Sequence, residues 1–502
     1  MFNLRLSCFG VGLLVTSLIV SACQPTPPVT SAVTATSNIS PTATVADTPQ
    51  PPPTATITPD PNIYNYTTQS GDSLQALALR FGVEADDIKL SDDAMLPESM
   101  HSGFIDPGLE LYIPKTVEFS GSPTFILPDR EVIFSASASD FDVTAYVNAA
   151  DGFLATFNDP ILSGMPQPAS EEITIVALHN SVNPRLMLAL LELQCDCVTG
   201  PLADGVKADY MMGVDDYRRR GLYRQLMWSI ERLFTGYYGW RDGSMTEVVF
   251  PDGTTQRLDP RLNAGSVALF YTLAQLYTQD EWENAVAEFD SLYSEMFGSA
   301  RLRPAAMETL FEPGFAQPEL SLPFLPGRTW AFTGGPHSAW EKAGANAALD
   351  FTPASLEASC ETSYEWIVAS ASGLIVRAER GVVVQDLDGD GNEQTGWVLV
   401  YVHVADAENA VEVGEWLEAG ELLGHPSCEG GPSSSTHLHL ARKYNGEWML
   451  AGGPIPFVLD GWVAAEGETT YQGTLSKDGD TIAACQCGTA HTYVTRPSDE
   501  DQ

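Results

Sequence analysis

Five of the eight histidines in this 502-residue chain fall between positions 337 and 439, and two stand one residue apart in Thr436-His437-Leu438-His439-Leu440. A strand alternates faces with period two, so His437 and His439 point the same way. Two imidazoles on one face can serve one metal ion, one as a ligand and one beside the reacting position. Upstream, Gly334-Gly335-Pro336-His337 and Leu349-Asp350-Phe351 offer a further His and a carboxylate. Two His and one Asp leave the fourth tetrahedral position open, the arrangement of catalytic rather than structural zinc. A lone His-x-His on an apolar strand is more often packing than metal, so the surroundings decide.

Those surroundings read as strands. Val368-Ala369 and Gly373-Leu374-Ile375-Val376 suggest a strand, a turn and a second strand. Residues 397–404 (Trp-Val-Leu-Val-Tyr-Val-His-Val) form a buried run that delivers His403. Residues 413–424 suggest a further hairpin, and a Gly/Ser-rich loop leads from there into the paired histidines. Over roughly residues 325–465 this order resembles the lysostaphin-like and beta-lytic zinc endopeptidases, which cut peptidoglycan. The resemblance implies one Zn2+ per chain with His337, Asp350 and His439 as ligands. It also implies His437 as the catalytic member of the pair and His403 as a second active-site histidine. Twelve residues separate His337 from Asp350, where much of that family keeps three; the beta-lytic branch is similar in its longer insert after Gly-Gly-Pro-His. The insert bears on the shape of the substrate groove more than on the metal.

In such a site His403 and His437 would hydrogen-bond the developing oxyanion or the attacking water and pass a proton to the departing amine. Which of them acts as base is left open. No His-Glu-x-x-His run supplies a carboxylate base, and His425, in Gly424-His425-Pro426, reads as an exposed loop residue.

The N-terminal residues point to export. Arg5, an apolar stretch and Val20-Ser21-Ala22-Cys23 resemble a bacterial lipoprotein signal, with cleavage before Cys23 and diacylation of its thiol. Two acyl chains anchor firmly where one binds marginally. Residues 24–62, nearly all Pro, Thr, Ser, Ala and Val, are expected to be a disordered spacer reaching on the order of 100 Å. From residue 63, Ser70-Gly71-Asp72-Ser73-Leu74, a helical run to Phe81, a second short helix over residues 86–90 and Pro107-Gly108…Ile113-Pro114 resemble the LysM module. That resemblance implies a βααβ fold and glycan binding through Gly71, Asp72, Ser73 and Leu74.

The intervening stretch has helical periodicity at residues 184–192, 217–234, 264–276 and 281–297. Asn183-Pro184-Arg185-Leu186 through Glu192 is faintly similar to the catalytic helix of lysozyme-like transglycosylases, but no Glu-Ser pair follows, and a structural helix is the preferred reading. Asp386, Asp388, Asp390 and Gly391 begin like a calcium loop, yet Trp397 stands where an EF-hand needs Glu, which favours a polar hairpin tip. Apart from Cys8 in the leader and the lipidated Cys23, six cysteines (Cys195, Cys197, Cys360, Cys428, Cys485, Cys487) allow fifteen pairings; Cys360 with Cys428 is preferred, because both fall in loops beside the expected active-site sheet. With 66 acidic against 25 basic residues, net −41, a nucleic-acid partner is not expected.

The expected layout is a multidomain chain: signal 1–22, lipidated linker 23–62, LysM module 63–115, mainly helical domain 116–302, mostly antiparallel β metallopeptidase domain 303–490 and acidic tail 491–502. The expected protein is exported, anchored to the cell membrane facing the wall, and acts on peptidoglycan cross-links while its LysM module holds glycan strands. The alternative is a non-catalytic peptidoglycan-binding scaffold or regulator of other wall hydrolases.

Overall fold

Short apolar periodicities build the N-terminal unit of the computed structural model, which describes residues 62–90, 94–119, 124–159, 166–340, 343–354, 359–406 and 411–498. The leader, Cys23 and all but the last residue of the spacer lie outside these residues. Strands β1 (Ile63–Thr67), β2 (Lys89–Leu90) and β3 (Glu110–Pro114) form a sheet of order β1-β3-β2 carrying helix α1 (Leu74–Phe81). Ser73 caps α1 by accepting from the Ala76 N–H, and Gly82 ends it in the left-handed conformation. Tyr66, Leu77, Phe81, Ile88, Leu111 and Ile113 close a small core. The second helix expected over residues 86–90 is instead one 3-10 turn, Ala85–Asp87, running into β2. So short a segment nucleates a helix poorly, and Leu90 pairs with Leu111 instead.

The middle region is mainly helical: α2 (Val143–Ala150), α3 (Ala169–Asn180), α4 (Pro184–Cys195), α5 (Leu222–Asp242), α6 (Ala264–Ala274) and α7 (Gln279–Phe297). Pro184 opens α4 where its missing N–H costs nothing. Helix α6, apolar on every side, is almost wholly enclosed. A capping box between Thr278 and Glu281 starts α7. Among the described residues no helix is long and apolar enough to cross a membrane.

The C-terminal region is largely antiparallel β. Its main strands are β4 (Thr329–Trp340), β5 (Ala343–Pro353), β6 (Gly373–Glu379), β7 (Val382–Asp386), β8 (Trp397–Val402), β9 (Trp416–Leu417), β10 (Leu438–Tyr444) and β11 (Tyr493–Thr495). They lie in the order β9-β6-β7-β8-β10-β5-β4-β11. Period-two alternation sorts the side chains into two cores. Val382, Val384, Val398, Val400 and Val402 share one core with the helical region. Val383, Leu399, Tyr401, Leu438 and Leu440 enter another. Both faces are covered, which is why β8 reads as an unbroken apolar run.

A buried ionic contact supports this junction. Arg241 on α5 donates to Glu447 and Asp129, and Tyr237 donates to Glu447 at 2.6 Å. Its members satisfy one another, the condition under which buried charge is tolerated. The residues expected to begin an acidic tail at 491 instead include β11, which pairs with β4, and Arg496, which donates to the Leu322 and Phe324 carbonyls. Three residues of strand are too short to stand out in the sequence. The disulfides join Cys360 to Cys428, Cys195 to Cys197 and Cys485 to Cys487.

Candidate metal centre

Cross-strand pairing brings the expected ligands together. Asp350 on β5 stands opposite His439 on β10 and opposite Gly334 on β4, and directly opposed residues hold their Cβ atoms about 4.5–5.5 Å apart. Gly334 makes room for the carboxylate: a Cβ there would lie 2.5 Å from Asp350 Oδ2. Register shifts between Phe332 and Trp340 break the alternation of β4 and bring His337 into the same space. His437 precedes β10, its backbone bridged to Ser427. The strand expected to run through residue 404 stops at Val402, and His403 takes φ +67°. That conformation is sparsely used by residues other than glycine and clusters at functional sites. His403 thereby leaves the sheet and faces His437, with ring centroids 4.4 Å apart.

A backbone carbonyl orients each imidazole. Carbonyls only accept, so the ring nitrogen facing one carries the proton. His337 Nδ1–H donates to Gly335 at 2.8 Å and His439 Nε2–H to Ala339 at 3.0 Å. His403 Nδ1–H donates to Glu429 at 2.6 Å and His437 Nδ1–H to Ser435 at 2.7 Å. The opposite nitrogens keep their lone pairs. His337 Nε2 and His439 Nδ1 lie 3.0 Å apart, and each approaches Asp350 Oδ1, at 3.1 and 3.2 Å. With both rings neutral, three acceptors therefore converge with no proton among them, and Asp350 Oδ1 is buried without a hydrogen-bond donor. An ion pair between Asp350 and a protonated His337 would satisfy only one of the two rings. A cation among the three satisfies all of them, and outer carbonyls fixing each tautomer are the usual support of metal-ligating histidines. The donor set fits zinc.

Burial works against charge on His337, His403 and His439. It lowers His439, and together with His437 and His439 it takes His403 down to about 3. For His337 burial is outweighed by Asp350, which raises it. For Asp350 burial is outweighed by His337 and His437, which hold its carboxyl well below the usual carboxylate range. His437 Nε2 lies farther out, 3.7 Å from Asp350 Oδ1. All five residues line one cavity of about 370 Å³, with Trp340, Gly430, Gly431 and Tyr471 among its other walls.

The remaining candidates fall elsewhere. Asp72 is buried, paired with Arg80 and accepting from Tyr66 at 2.7 Å, while Ser73 caps α1 and Leu74 is core. Gly71 lies against Arg241 and Phe311, where a Cβ would not fit. The Gly71–Leu74 turn is thus committed to the protein's own packing. The Glu192 carboxylate is taken up by the Val198 and Thr199 N–H groups and the Thr199 hydroxyl, which pin the loop after α4. Asp386, at the end of β7, draws together with Asp388 and Asp390 of the loop that follows, each accepting from backbone N–H groups of that loop. His425, expected to be exposed, is half-buried: its ring packs on Trp366 at 3.8 Å and donates to the Glu365 carbonyl. Cys23 lies outside the described residues.

Two groups at the cleft escaped sequence reasoning. Tyr471 stacks on His337 at 4.1 Å with φ +70°, from a loop with no motif around it. The orienting carbonyls are invisible in sequence because every residue has one.

Residues 125–309 match the model of the LasA N-terminal domain family. The chain is 25% identical to Protease LasA of Pseudomonas aeruginosa over 359 residues, 66% of this chain and 77% of that protein. Among solved structures it is similar to the deep-sea M23 metalloprotease pseudoalterin (22% identity, 34% of this chain and 96% of that one, TM-score 0.28). It is also similar to the catalytic domain of lysostaphin from Staphylococcus simulans (21% identity, 25% and 89% covered, TM-score 0.18). These structural likenesses are too slight to bear on activity. Along two thirds of its length, then, this chain is similar to a protease, and it carries a His-Asp-His group that could hold a metal ion.

Proposed function

We propose that the chain is an exported zinc endopeptidase that hydrolyses peptide cross-links of peptidoglycan. In this reading a lipid on Cys23 anchors it to the cell membrane, and the N-terminal LysM-like unit holds it against glycan strands through surface outside the buried Gly71–Leu74 turn. The observation that carries the catalytic part is the convergence of His337 Nε2, His439 Nδ1 and Asp350 Oδ1 on one point of a cleft. A zinc ion held by His337, His439 and Asp350 would supply Lewis acidity and would lower the pKa of water from about 16 to near 7. His437 and His403, with Nε2 unprotonated, can accept a proton and hand it to a leaving amine, or donate once protonated to an oxygen gaining charge. Similarity to a protease supports the peptide bond as the target. The resemblance of the Gly-Gly-Pro-His and His-x-His set to wall endopeptidases supports peptidoglycan as its source.

The test is to incubate the full chain with purified peptidoglycan and identify released ends by mass spectrometry. New amino termini that vanish with a chelator and return with zinc are expected. Binding without new termini from zinc-loaded protein would favour the scaffold reading instead.

A further inference from the structure

Trp340 belongs to the core that the sheet shares with the helical region. Trp340 lies three positions after His337, and on an unbroken strand the two would face opposite sides. The register shifts of β4 cancel that opposition, so Trp340 lines the same cavity as His337 and Asp350. Trp340 is 7% exposed. Behind the indole stands His179, near the end of α3, with ring centroids 4.3 Å apart. Phe234 of α5 supports the other arm of the same hairpin, 3.0 Å from where a Cβ on Gly344 would fall.

We propose that Trp340 is a substrate-contacting wall of the cleft, its ring packing against apolar atoms of a peptide, and that His179 is the positioning residue that holds it there. The helical region then contributes to substrate binding without itself lining the site. The proposal rests on the peptidase reading for its kinetics but not for its binding test. Aromatic pairs contribute enough beyond burial to change a binding constant roughly 2- to 12-fold. His179→Ala in the full chain should therefore raise KM for a soluble cross-linked muropeptide dimer about 3- to 10-fold, leaving kcat and zinc content within about twofold. His179→Phe, which keeps a flat ring behind the indole, should recover most of that loss. Trp340→Ala should raise KM at least as much as His179→Ala.

A second measurement does not need turnover. In protein carrying 5-fluorotryptophan, the Trp340 resonance, identified by its absence in Trp340→Phe, should shift when the muropeptide dimer is added and broaden in His179→Ala without it. An unshifted Trp340 resonance at saturating dimer would overturn the wall. An unchanged linewidth in His179→Ala, or a fall in kcat and zinc equal to the rise in KM, would overturn the positioning role. If the wild type binds the dimer with that shift yet cuts nothing, the peptidase reading fails and the wall stands.

Discussion

In the proposed reading His437 and His439, one residue apart, do different work, and two alanine variants separate it. His439 presents Nδ1 to the Asp350–His337 pair at 3.2 and 3.0 Å. His437 Nε2 stands 3.7 Å from Asp350 and its side chain is 15% exposed at the cleft. Removing His439 deletes one of three convergent donors. The fall in metal affinity should exceed the 10–100-fold typical of losing an outer partner, and zinc should drop well below one per chain after dialysis. Folding should barely suffer. The lost hydrogen bond to the Ala339 carbonyl costs about 1 kcal/mol, and the space opens into an existing cavity. Removing His437 leaves all three donors, so zinc should stay close to one per chain while the rate falls about 10²–10⁴-fold, the usual contribution of a positioned proton-transfer group. His403→Ala should resemble His437→Ala, and His337→Ala and Asp350→Ala should resemble His439→Ala. Elemental zinc measured beside kcat/KM and a thermal melt reads all three quantities. If His437→Ala lost its zinc and His439→Ala kept it, the assignment of lone pairs to the centre would be wrong.

Three further outcomes follow from the geometry. Gly334→Ala puts a methyl 2.5 Å from Asp350 Oδ2, so zinc affinity should fall at least tenfold with little change in the melt; unaltered zinc binding would show that Asp350 does not need that space. Glu172 is buried on α3, and burial, then Asp159, raises its pKa from 4.5 to about 8. Between those values the folded chain holds a proton the unfolded chain has released, so its contribution is complete below pH 4.5 and is lost as pH rises through 8. Glu172→Gln should thus melt like wild type at pH 4 and be more stable at pH 9 by about 2 kcal/mol, roughly half the full linkage value; equal melts at pH 9 would refute the burial argument. Residues 303–502 expressed alone would turn Val382, Val384, Val398, Val400 and Val402 to water, each worth about 1.5–3 kcal/mol when buried. That fragment should aggregate unless the helical region is supplied, and a soluble monomer with a sharp melt would contradict the shared core.

Much was legible in the sequence where chemistry and periodicity are local. Strand alternation alone puts His437 and His439 on one side, and a long apolar run predicts that β8 is buried on both faces. Helical spacing finds most of α4 to α7, because a core-facing stripe repeats within each helix. The resemblance to known endopeptidases named His337, Asp350 and His439 as a set, and their spacing permits any geometry a sheet can build. What brings them within bonding distance is register: Asp350 opposite His439 and Gly334, and a β4 irregular enough to turn His337 inward. Register depends on pairing between strands distant in sequence, which no local pattern records. For the same reason the left-handed turn at His403, the orienting carbonyls, Tyr471 over His337 and His179 behind Trp340 belong to the tertiary structure alone. The sequence determined which atoms could bind a metal; only the folded chain decided which lone pairs meet.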